Sequence, residues 1–229
     1  MNTPVKDLDC CSGTAEDSGH RGFDVAVIGA GSAGFSAAIT AADLGARVAL
    51  VGHGTIGGTC VNVGCVPSKT LIRAAEAVHA GKASRRFPGL GGNVRLEDWA
   101  ALAASKDELV AGLRQKKYVD LLPAYPGVTY VEGRACFVGR KLLVDDAPMP
   151  VGKIILAMGA RAAVPAIPGL EDVPWLTSTS ALALERLPRS LLVIGGGVIG
   201  VELGQMFARL GRAEEHTSEL QSRAYLVCR

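Results

Sequence analysis

Aromatic residues make up only 5% of this 229-residue chain, so an aromatic-rich binding surface is not expected. Cysteine is scarce as well. Six residues, at 10, 11, 60, 65, 136 and 228, are too few for a disulfide scaffold. No C-x-x-C pair has a matching second pair, which argues against a structural zinc site. Neither sign of charge dominates: Lys+Arg 24 against Asp+Glu 22 leaves +2. That balance predicts neither a nucleic-acid surface nor a polybasic membrane tether. The first residues carry Asp7, Asp9, Glu16 and Asp17 and no apolar run, so they are no signal peptide, and a cytoplasmic, reducing location is expected. Residues 25–42 hold no charge and approach membrane-span length. Gly29, Gly31 and Gly34 interrupt them, and they read instead as a buried strand, a turn and a helix.

What the chain has is small residues. Gly numbers 29, hydrophobic residues are 48%, and charged residues are 20%, enough apolar surface for a core. Residues 1–22 read as a disordered leader. Phe23–Ile28 reads as a strand, 32–44 as a helix stopped by Gly45, and 47–51 as a second strand, the size of a βαβ unit. A Gly-rich loop over 52–58 precedes a helix from Pro67 to about residue 79. Residues 81–95 read as loop and 96–122 as helix. Segments 128–138, 141–144 and 153–157 read as strands, and 164–174 as a Pro-rich connector. Leu191–Ile194 is a further strand, followed by a Gly turn and a helix over 198–210. This alternation predicts an α/β fold with a largely parallel sheet, Rossmann-like, begun a second time near the end of the chain. The expected units are 23–180 and the start of a second over 181–212. Residues 213–229 lack the strand that a second βαβ unit needs, since 213–219 are polar and 225–228 are short.

Gly29-Ala30-Gly31-Ser32-Ala33-Gly34 matches G-x-G-x-x-G directly after a strand and at the opening of a helix. The first Gly permits the turn, the second admits a pyrophosphate to the backbone, and the third lets helix and strand close. The helix N-terminus supplies donors and positive potential. Gly195-Gly196-Gly197-Val198-Ile199-Gly200 repeats the pattern in the same setting. The acidic residue expected after the second strand is absent: Gly52 stands there, followed by His53.

Cys60 and Cys65 form a C-x4-C pair before the helix opened by Pro67. Thiols at a helix N-terminus are acidified by the dipole and nearby cations, and Lys69 falls on the same helix face as Cys65. So small a ring stabilises little as a staple. A redox pair is the favoured reading, with a two-thiolate soft-metal site as the other. Cys136 reads as a core residue and Cys10-Cys11 as bystanders. His20, His53, His79 and His216 show no metal spacing and receive no role. Trp99 and Trp175 read as packing anchors.

Gly57-Gly58-Thr59-Cys60-Val61-Asn62-Val63-Gly64-Cys65-Val66-Pro67-Ser68-Lys69 resembles the signature of the flavoprotein pyridine nucleotide-disulfide oxidoreductases. The continuation through Glu76, the segments 106–110 and 117–122, and 204–211 are similar to the mercuric reductase branch in particular. Dihydrolipoamide dehydrogenase is the nearest rival. The resemblance covers residues 23–212. It implies FAD on the first Gly loop and NADPH, with NADH possible, on the second. It implies that electrons reach the Cys60–Cys65 disulfide through the flavin, with Cys65 the flavin-side thiolate and Cys60 the substrate-facing thiol. Lys69 would pair with Glu202. In the mercury branch the two thiolates hold Hg(II) transiently before its reduction to Hg(0).

The cofactor set implied is Gly29, Gly31, Ser32, Ala33, Gly34, Gly58, Thr59, Cys60, Lys69, Ala135 and Gly159 for the first site. Gly195, Gly197, Gly200 and Glu202 serve the second. A homodimeric parent and a small disulfide as the alternative substrate follow from the same resemblance. The chain departs from the family at Gly52, at Met158 within Ala157-Met158-Gly159, at Val198 and at Gly200. Residues 213–229 resemble no part of the family and read as translated adapter sequence. The expectation is a truncated reading frame that turns over no substrate by itself.

Overall fold

The computed structural model describes residues 22–211 and, as backbone, the strand 225–228. The expected leader, apart from Gly22, and most of the expected tail lie outside the described residues. Strands β1 (Phe23–Ile28), β2 (Val48–Gly52), β3 (Val128–Glu132) and β7 (Val151–Leu156) form one parallel sheet in the order β3-β2-β1-β7. From Val25 in β1 and throughout β2 the strands are continuous apolar runs, because both of their faces are covered there. Side chains alternate across the sheet. Val27, Val48 and Leu50 pack with Phe35 and Ala38 of helix α1 (Ser32–Asp43) on one side. Ala26, Ile28, Ala49 and Val51 pack on the other side with Leu142 and Val144.

Those last two residues belong to β5 (Lys141–Val144), which pairs antiparallel with β4 (Ala135–Val138) and β6 (Ala147–Pro148). The strand expected over 128–138 is thus two strands in different sheets, broken at Gly133-Arg134. Cys136 is exposed on β4, which corrects its reading as a core residue.

All four parallel strands end on one side. From β1 the chain crosses to β2 in one direction, while β7 lies in the other, so the C-terminal end of β1 is the switch point where such sheets bind ligands.

A second cluster joins four helices. It holds Leu71, Ala75 and Val78 of α3 (Cys65–Ala83), Trp99 of α4 (Trp99–Arg114), Ala181 and Leu182 of α5 (Ser178–Leu182), and Leu203, Met206 and Phe207 of α6 (Val198–Arg209). Thr177 caps α5 in a reciprocal box with Ser180. Lys106 is buried in α4; its Nζ donates to the Leu182 carbonyl at 2.9 Å and meets the Asp107 carboxylate at 2.8 Å, so no buried charge is left bare. Trp99 anchors as expected, its Nε1 donating to the Leu184 carbonyl at 2.9 Å. Trp175, by contrast, is exposed.

The long helix expected to residue 122 ends earlier, passing into a π-turn at Gln115–Val119. Beyond the connector, β8 (Trp175–Leu176) and β9 (Leu191–Ile194) flank β10 (Tyr225–Cys228), and both pairings are antiparallel. A strand therefore forms at 225–228, but it is not the parallel partner that a βαβ unit supplies to β9. No helix among the described residues is long and apolar enough to cross a membrane.

Candidate functional site

The loops after β1, β2, β3 and β7 close around a cavity of about 520 Å³. Its floor is the first Gly turn. Gly29 has φ +117°, and a Cβ there would lie 2.1 Å from the Ala157 carbonyl oxygen. A Cβ on Gly34 would lie 1.7 Å from the Gly29 carbonyl oxygen, so the third glycine lets α1 sit on the turn. Both are steric requirements, met by glycine alone.

The cysteine loop is laid directly on this floor. Gly57 N donates to the Ala30 carbonyl at 2.8 Å, and Gly31 and Gly57 form a parallel bridge. Gly58, at φ +68°, faces Gly31 so closely that a Cβ on it would stand 2.6 Å from the Gly31 Cα. Gly58, expected to end the Gly-rich loop, opens a short helix α2 (Gly58–Val63) in a stretch for which the sequence predicts no element. Gly64 breaks it, and α3 starts at Cys65. The two thiols thus stand at the start and just beyond the end of one short helix.

Asn62 holds this loop. Its Nδ2 donates to the carbonyls of Ile56 and Gly58, each at 3.0 Å, and its Oδ1 accepts from Arg114 Nη1 at 3.1 Å. Tyr118 secures the opposite side. Its hydroxyl shares a 2.9 Å hydrogen bond with Ser32 Oγ, and its ring stands edge-on to Phe35 at 4.9 Å. The π-turn carries Tyr118 to this place, and no periodicity in the sequence announces it.

Cys60 and Cys65 are both exposed free thiols. The Cys60 thiol is held above its ordinary pKa, first by its hydrogen bond to Cys65, then by burial, with Lys117 opposing. Cys65 is thus the neighbour that acts most strongly on the Cys60 thiol. Cys60 lines the cavity, whereas Cys65 lies outside that lining. Among the described residues no group of three or more His, Cys, Asp or Glu is placed to hold a metal ion.

Of the residues expected in the first site, Gly29, Gly31, Ser32, Ala33, Gly58, Thr59, Cys60, Ala135 and Gly159 line the cavity together. Gly34 supports it from below. Lys69 is outside the lining, and its Nζ meets the Glu202 carboxylate of α6 at 2.5 Å, the pairing the resemblance implies. Gly195 (φ +103°) makes the second turn, Gly197 caps α6 and Gly200 is buried within it, so β9 and α6 repeat the geometry of β1 and α1. His53, given no role from the sequence, is in the cavity wall, as are Tyr130 and Arg134.

A dinucleotide fits this arrangement at its phosphates. Two side-chain-free glycines face each other across the turn, and a helix N-terminus opens onto it. The volume is in the range of small-molecule sites.

Comparison with known proteins agrees. The profile of the family described as pyridine nucleotide-disulphide oxidoreductase matches residues 23–227. The mercuric reductase of Streptomyces lividans is 46% identical over 198 residues, spanning 84% of this chain and 42% of that protein. That of Staphylococcus aureus is 47% identical over 190 residues, spanning 82% of this chain and 34% of that one. The chain therefore spans well under half the length of these relatives. Among solved structures, the HOCl-induced flavoprotein disulfide reductase RclA from Escherichia coli is similar, with a TM-score of 0.69 and 34% identity, over 82% of this chain and 40% of that one. With a matched profile, its two Gly turns and the cysteine pair on the first of them, the chain belongs to the pyridine nucleotide-disulphide oxidoreductase family.

Proposed function

We propose that this chain carries the FAD site and the redox pair of a mercuric-reductase-like flavoprotein, in which reducing equivalents from NADPH reach Cys60 and Cys65 and are delivered to Hg(II). One observation carries the reading: the C-x4-C loop lies on the dinucleotide turn by glycine-to-glycine contact, with Cys60 in the cavity wall. When bound, FAD supplies a two-electron relay between nicotinamide and sulfur.

This chain's own residues do the rest. Gly29, Gly31 and the start of α1 hold the pyrophosphate, and Ala135 and Gly159 border the cavity. Cys60 and Cys65 alternate between a disulfide and two thiols. As thiolates they form a soft ligand pair suited to a soft cation, releasing their protons on binding it. Two electrons then convert Hg(II) to Hg(0), and the sulfurs are freed. Lys69 and Glu202 form a charged link from the thiol helix α3 to the second Gly turn's helix α6, and they act as positioning residues. NADPH as donor (NADH being the alternative), a homodimeric assembly and a cytoplasmic setting belong to the same reading.

The test is reconstitution with FAD. A yellow protein whose reduced form gains a long-wavelength thiolate-to-flavin band supports the pair's role, and loss of that band in Cys65→Ala with its retention in Cys60→Ala assigns the flavin-side thiolate to Cys65. NADPH-dependent Hg(II) loss, assayed on the longer relative-sized protein with the same substitutions, tests the substrate. Turnover of lipoamide in its place would favour the dihydrolipoamide dehydrogenase-like reading. A colourless protein that binds no flavin would overturn both.

A further inference from the structure

Dinucleotide sites of this architecture place a carboxylate after the second strand, where it accepts hydrogen bonds from the adenosine ribose. This chain ends β2 with Gly52. The structure gives the reason. A Cβ on Gly52 would lie 2.8 Å from the Ala30 Cβ, 2.8 Å from the Tyr130 hydroxyl and 2.9 Å from its Cε2. Tyr130 comes from the adjacent strand β3, in register with Leu50, and its ring fills the space that a side chain at 52 would cross.

The Tyr130 hydroxyl is half-buried, lines the cavity, and has no hydrogen-bond partner among the described residues. Burial, with the Glu132 charge beside it, pushes its pKa up, so it stays protonated and can donate. No Asp or Glu lines the cavity, while His53 and Arg134 do. The residues lining that wall therefore bring no carboxylate of their own, and the nearest one, Glu132, stands opposite Gly52 on β3 outside the lining.

We infer that in this cavity the Tyr130 hydroxyl, in place of a carboxylate, reads the adenosine ribose, and that the site accepts a ribose carrying a 2′-phosphate. A carboxylate engages the ribose hydroxyls and repels a phosphate; a phenol hydrogen-bonds to either and repels neither. Arg134 supplies a guanidinium, the side chain best matched to a phosphate. The inference rests on the reading of this cavity as the FAD site.

The experiment uses the 229-residue chain loaded with FAD. Recovery of flavin fluorescence is followed as ADP or adenosine 2′-phosphate 5′-diphosphate displaces the cofactor. Reading FAD release confines the result to this cavity, because a nucleotide on the second Gly turn would displace no flavin. A carboxylate at this place would disfavour the 2′-phosphate by about a hundredfold or more; here the two competitors are expected within about tenfold of each other.

Tyr130→Phe, which keeps the ring, should weaken ADP about fivefold, the worth of one hydrogen bond. Arg134→Gln should weaken the 2′-phosphorylated competitor and leave ADP unchanged. An ADP preference beyond about a hundredfold, or an unchanged ADP affinity in Tyr130→Phe, overturns the inference while leaving FAD binding intact. Failure of FAD to bind removes the proposed function and this inference with it. The comparison of the two competitors needs no variant, so a misfolded substitution does not shield the idea.

Discussion

Lys69 Nζ lies 2.5 Å from Glu202 Oε1, joining the helix that opens with Cys65 to the helix that follows the second Gly turn. Both side chains are about half exposed, at 56% and 45%. Water screens such a pair, and exposed pairs contribute about 0.2–1 kcal/mol. The two helices are held together instead by Leu71, Leu203, Met206 and Phe207 beneath the pair. Lys69→Met should therefore change stability by less than about 1 kcal/mol, whereas Leu71→Ala should cost about 2–5 kcal/mol. Urea denaturation of the two variants reads both. A Lys69→Met loss as large as that of Leu71→Ala would mean that the pair is structural.

The Cys60–Cys65 contact has a titration consequence. Hydrogen bonding to Cys65 is the largest cause of the raised Cys60 pKa, so the Cys60 thiol stays protonated to higher pH than a free thiol. Removing the partner removes that cause. In Cys65→Ala the Cys60 thiol should titrate at lower pH and react faster with iodoacetamide at neutral pH, since the thiolate is the nucleophile. The folded-state shift is upward, so the stability linked to it is complete below the ordinary thiol pKa and is lost as pH rises through the folded value. Alkylation rate against pH, followed by peptide mass mapping, checks the direction. A slower Cys60 in Cys65→Ala would contradict the contact.

Asn62 lies between the two cysteines in sequence and ties their loop to the carbonyls of Ile56 and Gly58, ahead of Cys60, and to Arg114 of α4. Asn62→Leu would strand two carbonyls and one Arg114 donor in a half-buried site. Such losses cost about 1–3 kcal/mol. The variant should unfold earlier, and its Cys60–Cys65 disulfide should be harder to close, because the sulfurs lose a common frame. Redox equilibration with glutathione measures the second effect; an unchanged equilibrium would assign Asn62 to stability alone.

The backbone of the site could be read from the sequence, because glycine positions report conformation directly. Gly29 and Gly195 both take positive φ where the G-x-G-x-x-G pattern requires a turn. The C-x4-C spacing placed the thiols beside each other for the same local reason. Contacts between distant segments were not legible. Tyr130 over Gly52 depends on the register of β2 with β3, and Tyr118 on Ser32 depends on a π-turn. The helix at Gly58–Val63 opens with glycine and threonine, poor helix formers, and forms because Asn62 and the Gly31 contact hold it. Cys136 reads as apolar core, yet it sits on the exposed face of a meander that only the fold reveals.

Asp24 and Arg47 clasp the starts of β1 and β2. Arg47 donates from its backbone N at 2.8 Å and from Nε at 3.1 Å to Oδ2, and from Nη2 at 3.0 Å to Oδ1. These side-chain bonds to the guanidinium are the first cause of an Asp24 pKa lowered from 3.8 to about 2. A lowered carboxylate pKa stabilises the fold above the unfolded value, and the contribution disappears as pH falls through the folded one. The window is therefore between 3.8 and about 2. Asp24→Asn should flatten that part of the stability profile and leave the slope above pH 5 alone. Because the pair is solvent-exposed, the difference between the two proteins should shrink in high salt. Thermal melts at stepped pH, at low and high ionic strength, measure it. An Asp24→Asn protein with an unchanged acid limb would show that the clasp contributes nothing in solution.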